Sequence, residues 1–514
     1  MSTREALFVL DFSLLSVDNK IVGLWSHIAE ERKSTMQNAQ KVISFFKEFS
    51  AIPHGSYDEK RISDYLVDFA KTRGLEVYQD KLWNVIIKKP SNAQDCTCAP
   101  VIIQGHMDMV YVQSDGCTRK YEEGISIIEK NGWLTADGTS LGADDGIAIA
   151  YALALLDSND IPHPDLEVVI TVQEEVGLYG AEVLDCSQLK GKYFLNIDTE
   201  DEGVFYTSCA GAFRNELRIP TERISQRGMT VLKVALGGML GGHSGIEIHI
   251  GRGNAIILMA RLLSNLDWDG VYLSSLVCNG KTNAIANHCE AVLYISPDKI
   301  DSVLDYFNQS VARFNHELGL LDSVELQTIV AEEEELLCYT RASRKRALSA
   351  MLLMPNGVLG MSQAIEGLVE TSANPGILTQ EDDALLISSA VRSSVGSRKA
   401  AVANQLSAIA NLTGGTSVCL NDYPQWEYRE KSPLRELAKD CYRDLFEKEP
   451  ETAAIHAGLE CGYFDQKMPG LDIISFGPTQ EAVHTPNEKV HIKSLENVWH
   501  LLQRLLKKLA DNNI

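Results

Sequence analysis

At 514 residues the chain has length for a large core and roughly two to four domains. Its 70 acidic residues against 47 Lys and Arg leave a net charge of −23, which argues against nucleic acid or another polyanion as partner and favours solubility. No apolar run reaches the length of a membrane span, the N-terminal apolar pieces make a poor signal peptide, and eleven scattered cysteines without paired CxxC spacing fit free thiols in a reducing cytoplasm.

Residues 1–35 are weakly patterned and read as an extension. From Ala39 to Phe49 the spacing becomes helical, with Val42, Phe45, Phe46 and Phe49 on one face. After a turn at Pro53 to Ser56, Glu59 to Arg73 predicts a second helix with Ile62, Tyr65, Leu66 and Phe69 inward and Gly74 as its stop. Short strands are expected at Leu75 to Tyr78 and Trp83 to Ile87, an alternation that indicates an α/β layer. Cys96 and Cys98 lie in a polar loop and read as surface thiols rather than a metal clip.

Val101 to Met109 (VIIQGHMDM) is an apolar run that stops at His106 and Asp108. It reads as a buried parallel strand presenting an imidazole and a carboxylate at its carboxyl end, where open α/β sheets collect ligands. Taken alone, a surface strand end with two incidental polar residues is an equal reading. From Asp137 a Gly-rich polar loop leads into an almost wholly apolar helix, Ile147 to Leu156, which must be buried. Asp144 and Asp145 therefore stand at its N-terminus, where capping is the plainer alternative to a site. Leu166 to Val172 runs into Glu174 and Glu175, Tyr193 to Ile197 ends at Asp198, and Leu471 to Phe476 precedes a loop carrying His484. Two imidazoles and five carboxylates are thus expected along one edge of one sheet: His106, Asp108, Asp144, Glu174, Glu175, Asp198 and His484.

Over two hundred residues of different character separate Asp198 from the last strand. Strands at Val231 to Leu236 and Ala291 to Ile295, helices at Asn254 to Leu266 and Ile300 to Leu318, and a flexible turn at Gly237 to Gly245 suggest an inserted α+β domain. The expected division is 1–212 and 423–514 for the α/β domain, and 213–422 for the insertion. The acidic run Glu332 to Glu335 reads as a solvated helix face.

Converging carboxylates repel unless cations neutralise them. Mixed imidazole and carboxylate donors suit zinc, with manganese or cobalt as substitutes. The economical arrangement is two divalent ions about 3.5 to 4 Å apart sharing a carboxylate and a water, with one of the adjacent glutamates binding metal and the other taking a proton.

QGHMDMV (104–110), LGADDG (141–146), EEVG (174–177), NIDTEDEG (196–203), SCAGA (208–212), GGHSGIEIH (241–249), TSANPG (371–376), HAGLECG (456–462) and GPTQEAVHTPNE (477–488) resemble the aminoacyl-histidine dipeptidase branch of the M20 metallopeptidases. HAGLECG and GGHSG with EIH are far more specific than the HxD motif. The resemblance implies a zinc-exopeptidase-like catalytic domain, with a mixed, mainly parallel sheet flanked by helices, and an inserted α+β lid and dimerisation domain. It implies His106 and Asp198 on one metal, Glu175 and His484 on the other, Asp144 bridging, Asp108 orienting His106, and Glu174 as general base. His243 resembles the family's oxyanion-stabilising histidine and Arg392 the lid arginine that grips the substrate carboxylate. Asn283 matches an NxIP-like turn in which Ala286 replaces Pro. A lone surface histidine and a surface ion pair are the plainer readings of His243 and Arg392.

The resulting expectation is a cytoplasmic two-metal dipeptidase, homodimeric through the lid, that uses a metal-activated bridging water and Glu174 to hydrolyse Xaa-His and other unblocked dipeptides. Another M20 amidohydrolase, such as an N-acyl amino acid deacylase or a carboxypeptidase, and a non-catalytic metal-binding scaffold are the alternatives.

Overall fold

The computed structural model describes residues 40–332 and 335–511. The extension expected over 1–35 lies outside them. One eight-stranded sheet organises the α/β body. Its strands, in chain order, are β1 (Glu76–Gln79), β2 (Val85–Lys89), β3 (Val101–His106), β4 (Leu166–Thr171), β5 (Tyr193–Asn196), β6 (Val204–Cys209), β7 (Glu451–Ile455) and β8 (Asp472–Ser475). They lie in the order β1-β2-β4-β3-β5-β8-β6-β7. The central four, β4, β3, β5 and β8, are mutually parallel, so their carboxyl ends share one edge. Strands β3, β4 and β8 are buried at every position, as both-face coverage requires of parallel strands.

Helix α1 (Lys60–Thr72) buries Ile62, Leu66 and Phe69, the stripe its spacing predicts. Helix α2 (Ala143–Leu156) is buried from Asp145 onward. Each fully buried Leu or Ile there contributes about 1.5 to 3 kcal/mol, so this helix anchors the residues at its N-terminus firmly. The C-terminal helix α3 (Ile492–Ala510) fixes its rotation. Trp499 stacks on Tyr151 with ring centroids 5.8 Å apart, and the Tyr151 hydroxyl donates to the Leu495 carbonyl at 2.8 Å.

The inserted segment has its own apolar core, a two-stranded antiparallel ribbon of Arg223–Arg227 and Glu335–Tyr339, and two larger antiparallel sheets. One has four strands, in the order Val271–Val277, Cys289–Ile295, Thr230–Gly237 and Glu325–Glu332. The other has five, in the order Gly357–Met361, Val369–Gln380, Ala384–Ser393, Gly211–Pro220 and Thr416–Tyr423. Helices Ala255–Ser264 and Ile300–Leu318 pack with them. Two neighbouring strands of the five-stranded sheet, Gly211–Pro220 and Thr416–Tyr423, lie at the start and the end of the insertion in sequence. The chain is an α/β body with a mainly parallel sheet flanked by helices, interrupted by an α+β insertion. Of the Glu332 to Glu335 run, the two described residues are not on a helix: Glu332 ends one strand and Glu335 starts the next, both exposed, while Glu333 and Glu334 lie outside the described residues. The β-branched and leucine residues on either side (Thr328 to Val330, Leu336, Leu337) pair with strands Thr230–Gly237 and Arg223–Arg227, and that pairing overrides any helical tendency of the glutamates.

Candidate active site

The shared edge of the parallel strands gathers the seven side chains. His106 is the last residue of β3, and its Nε2 lies 3.3 Å from Asp144 Oδ1, 3.6 Å from Asp198 Oδ1 and 3.9 Å from Glu174 Oε2. His484 Nε2 lies 3.1 Å from Asp144 Oδ2 and 2.8 Å from Glu175 Oε1. Asp144 therefore has one oxygen against each imidazole. Asp145, by contrast, turns into the interior, where Oδ2 accepts the His106 backbone amide at 3.2 Å and Oδ1 is buried with no partner among the described residues.

Neither aspartate caps α2. Its N-cap is Gly142, whose φ of +69° suits a residue without a Cβ. The first amides are taken instead by Glu488, so the Asp144 carboxylate is free to face the imidazoles.

Asp108 sits two residues past the strand end and does more than face His106. The His106 Nδ1 lies 2.9 Å from the Asp108 carbonyl and 3.6 Å from Oδ1. Oδ1 accepts the Glu174 amide at 3.0 Å, while Oδ2 accepts the Glu175 amide at 3.3 Å and the Ser56 hydroxyl at 2.8 Å. One buried carboxylate thus fixes both the imidazole and the loop carrying the two glutamates. Burial opposes its charge, but His106, the Glu174 amide and Ser56 outweigh that and hold it below the usual carboxylate range.

The electrostatics show what the cluster lacks. Burial, with Asp198, Glu175 and Glu460 nearby, pushes the Glu174 carboxyl well above its ordinary value, although His106 opposes the shift. Burial likewise raises Asp198 to about 6 against the pull of His106. Hydrogen bonds to Asp144 and Glu175 raise His484 to about 11. Donor atoms of His106, Glu174 and Glu175, of His106, Asp145 and Asp198, and of Asp144, Glu175 and His484 each lie within 4.8 Å of one another. Excess carboxylates and two imidazoles at such spacing are a donor set that fits divalent cations.

A second group joins the insertion to the α/β body. His243 and Arg392 of the insertion and His456 of the body converge on Gly245: a Cβ added there would stand 3.0 Å from His243 Cε1, 3.0 Å from the His456 carbonyl and 3.2 Å from Arg392 Nε. The amides of Gly245 and Ile246 donate to His243 Nδ1 at 3.2 and 3.1 Å, which leaves Nε2 as the protonated nitrogen of the neutral ring. Burial and the Arg392 charge hold His243 below its ordinary value. Arg392 Nη1 donates to the Tyr423 hydroxyl at 3.2 Å, and Glu174 acts electrostatically on the same phenol, so this group borders the carboxylate cluster. Asn283 is exposed and meets the His243 turn through its backbone carbonyl, which accepts the Ser244 amide at 2.8 Å.

Sequence reasoning assigned no role to three residues that shape this edge. Glu488 is one. Glu460 is another: fully buried, it accepts from Thr171 Oγ1 at 2.6 Å and from Gln104 Nε2 at 2.5 Å. Gln104 in turn accepts from Asn196 Nδ2 at 2.7 Å, and Ser475 Oγ donates to Asn196 Oδ1 at 2.5 Å, so a polar row crosses the four central strands below the cluster. The signal was the polar residue interrupting each apolar strand, Gln104, Thr171, Asn196 and Ser475. His456 is the third. Its Nε2 lies 2.7 Å from Ser372 Oγ, and burial together with Arg392 lowers its pKa to about 4.

His456 carries a stability prediction. Its folded pKa lies below the ordinary 6.5, so the unfolded chain takes up a proton first as pH falls. The stabilising effect of keeping it neutral is full above pH 6.5 and is lost as pH falls toward 4, a change of about 3 kcal/mol. His456→Gln should flatten the dependence of Tm on pH in that window, measured by thermal unfolding at successive pH values. An unaltered slope contradicts the assignment.

Known proteins resemble this chain over most of its length. Residues 102–508 match the profile of peptidase family M20/M25/M40. The chain is 35% identical to the cytosol non-specific dipeptidase of Escherichia coli (strain K12), over 91% of this chain and 98% of that protein. The crystal structure of aminoacylhistidine dipeptidase from Vibrio alginolyticus superposes with a TM-score of 0.85 at 33% identity, covering 91% of this chain and 96% of that one. The aminopeptidase PepT from Bacillus cereus, at 17% identity and a TM-score of 0.54 over 92% of this chain and 99% of that one, shares the fold. No described helix is long and apolar enough to cross a membrane. A match over most of the chain, the shared architecture and a donor cluster suited to the divalent ions of a metallopeptidase lead to one conclusion: this chain belongs to peptidase family M20/M25/M40 and is a peptide-bond hydrolase.

Proposed function

We propose that the protein is a cytosolic two-metal dipeptidase acting on Xaa-His and other unblocked dipeptides. The observation that carries the two-metal reading is Asp144, with one carboxylate oxygen toward His106 and the other toward His484. His106 and Asp198 would hold one ion, Glu175 and His484 the other, and Asp144 both. Zinc suits this donor set best, with cobalt or manganese as substitutes. The ions, when bound, supply the positive charge that acidifies a water and polarises the scissile carbonyl.

The chain's own groups perform the remaining tasks. Glu174 takes a proton from the attacking water and passes it to the nitrogen that leaves as the C–N bond breaks. Asp108 holds His106 and the glutamate loop in register. His243 donates from Nε2 to the oxygen that gains charge in the tetrahedral state. The Arg392 guanidinium grips the carboxylate of the second residue, for which its planar fork gives two parallel hydrogen bonds. Asn283 borders the substrate from the turn that supports His243. The insertion acts as a lid that limits substrate length, and it also joins two subunits. Support for a dipeptide substrate comes from the names of the relatives at 35% and 33% identity.

The test is a panel of free dipeptides and their N-acetylated forms, assayed with protein stripped by chelator and reconstituted. Activity should vanish on stripping, return with zinc, cobalt or manganese, and favour free Ala-His over its acetylated form. Preference for the blocked amine would assign an N-acyl amino acid deacylase. Failure of every divalent ion to restore turnover would remove the metal reading.

A further inference from the structure

Glu488 lies in the HTPNE segment four residues after His484 and is 2% exposed. Its carboxylate belongs structurally to a different part of the chain. Oε2 accepts the amides of Leu141 and Gly142 at 2.8 and 3.1 Å, and Oε1 accepts the Ala143 amide at 2.7 Å, with the Asp144 amide at 3.5 Å. They belong to the turn that leads into α2, set off from the rest of the helix by the non-helical backbone of Asp144 and Asp145, and Gly142 at its start has no side chain to serve them. Glu488 serves them from 345 residues away in sequence. Its own segment is fastened as well. The Glu488 carbonyl accepts from Thr135 Oγ1 at 3.0 Å, its amide donates to the Thr485 carbonyl at 3.1 Å, and Lys489–His491 pairs with Trp133–Ala136.

The consequence concerns two loops. Asp144 follows directly on the amides that Glu488 holds, and His484 stands one turn before Glu488 on the other loop. A single carboxylate therefore sets the separation between the donors that face each other at 3.1 Å. Because Glu488 does the capping, Asp144 does not have to turn back onto its own helix. Burial pushes the Glu488 carboxyl up to about 7, while the backbone amides favour its charged form.

We infer that Glu488 is a positioning residue that joins the Asp144 and His484 loops and so shapes the pocket for the ion held by Asp144, Glu175 and His484. This rests on the two-metal reading above. Glu488→Gln is close to isosteric but offers one acceptor oxygen, so its NH2 must face at least one amide that now donates to a carboxylate. Glu488→Asp keeps the charge on a stem one methylene shorter and cannot reach all three amides at once.

The experiment is metal titration of stripped protein by calorimetry and by visible absorption of the cobalt form, alongside steady-state kinetics on a free dipeptide. Wild type should take up two ions. Glu488→Gln should bind the second about 10- to 100-fold more weakly, as loss of a group supporting metal ligands does, with an altered cobalt spectrum for that equivalent. Its kcat should recover as metal is raised, with KM for the dipeptide unchanged. Glu488→Asp should show the same pattern, less severely, and serves if the glutamine variant does not fold. Wild-type affinity for both ions in the variants overturns the inference, as does a loss of kcat that saturating metal does not restore. Wild type that takes up fewer than two ions overturns the two-metal reading itself, whatever the variants do.

Discussion

Glu174→Gln should lower kcat by roughly 10²- to 10⁴-fold, the usual contribution of a positioned general base, while KM for a free dipeptide changes little. The substitution preserves size and leaves the backbone amide that Asp108 accepts at 3.0 Å, so the loop keeps its place. What disappears is a carboxylate able to accept a proton near the His106 side of the cluster, where Glu174 Oε2 lies 3.9 Å from the imidazole. Metal content, measured on the purified variant, should remain that of wild type. Undiminished turnover would remove Glu174 from the role of base. A fall in bound metal equal to the fall in kcat would make it a ligand instead.

Asp108→Ala should be the next most damaging single change, because this carboxylate works on two sides at once. It faces the His106 ring and accepts the amides of Glu174 and Glu175. Removal of a group that orients a metal ligand typically costs 10- to 100-fold in metal affinity. Here the loop amides lose their acceptor too, so kcat should stay depressed by about tenfold or more even at saturating metal, since a misplaced Glu174 is not repaired by added ions. Asp108→Asn keeps two acceptor lone pairs on one oxygen and should fall between the two. Kinetics across a metal titration separate the affinity loss from the residual loss. Complete rescue by metal would confine Asp108 to orienting His106.

The Asp108 case shows how far strand ends could be read. Period-two alternation places His106 and Asp108 on the same side of an extended segment, and the strand does end at His106. Periodicity could not reveal that Asp108, just beyond the ladder, would turn its oxygens toward amides 66 and 67 residues away. Capping of α2 is a similar case. Local sequence put two aspartates at the helix start and left capping open as the alternative to a site. The structure instead brings Glu488 from near the C-terminus to do this work, because the Gly142 backbone turns through positive φ and the C-terminal segment pairs with Trp133–Ala136. The Glu332 to Glu335 run was misread for a related reason. Charge predicts exposure, which holds at both ends, but says nothing about the strand partners that decide backbone conformation.

By itself the sequence determined which segments are buried and where each buried strand stops, since apolar runs and their breaks are local properties of the chain. That was enough to place His106, Asp198 and the glutamate pair at strand ends and to expect an α/β layer with an insertion. Only the tertiary structure decided which carboxylate stands between the two imidazoles and which residues hold the loops of the cluster in place. Those are contacts between segments up to hundreds of residues apart. They depend on sheet order and on the rotation of α2 against α3, quantities that no local pattern encodes.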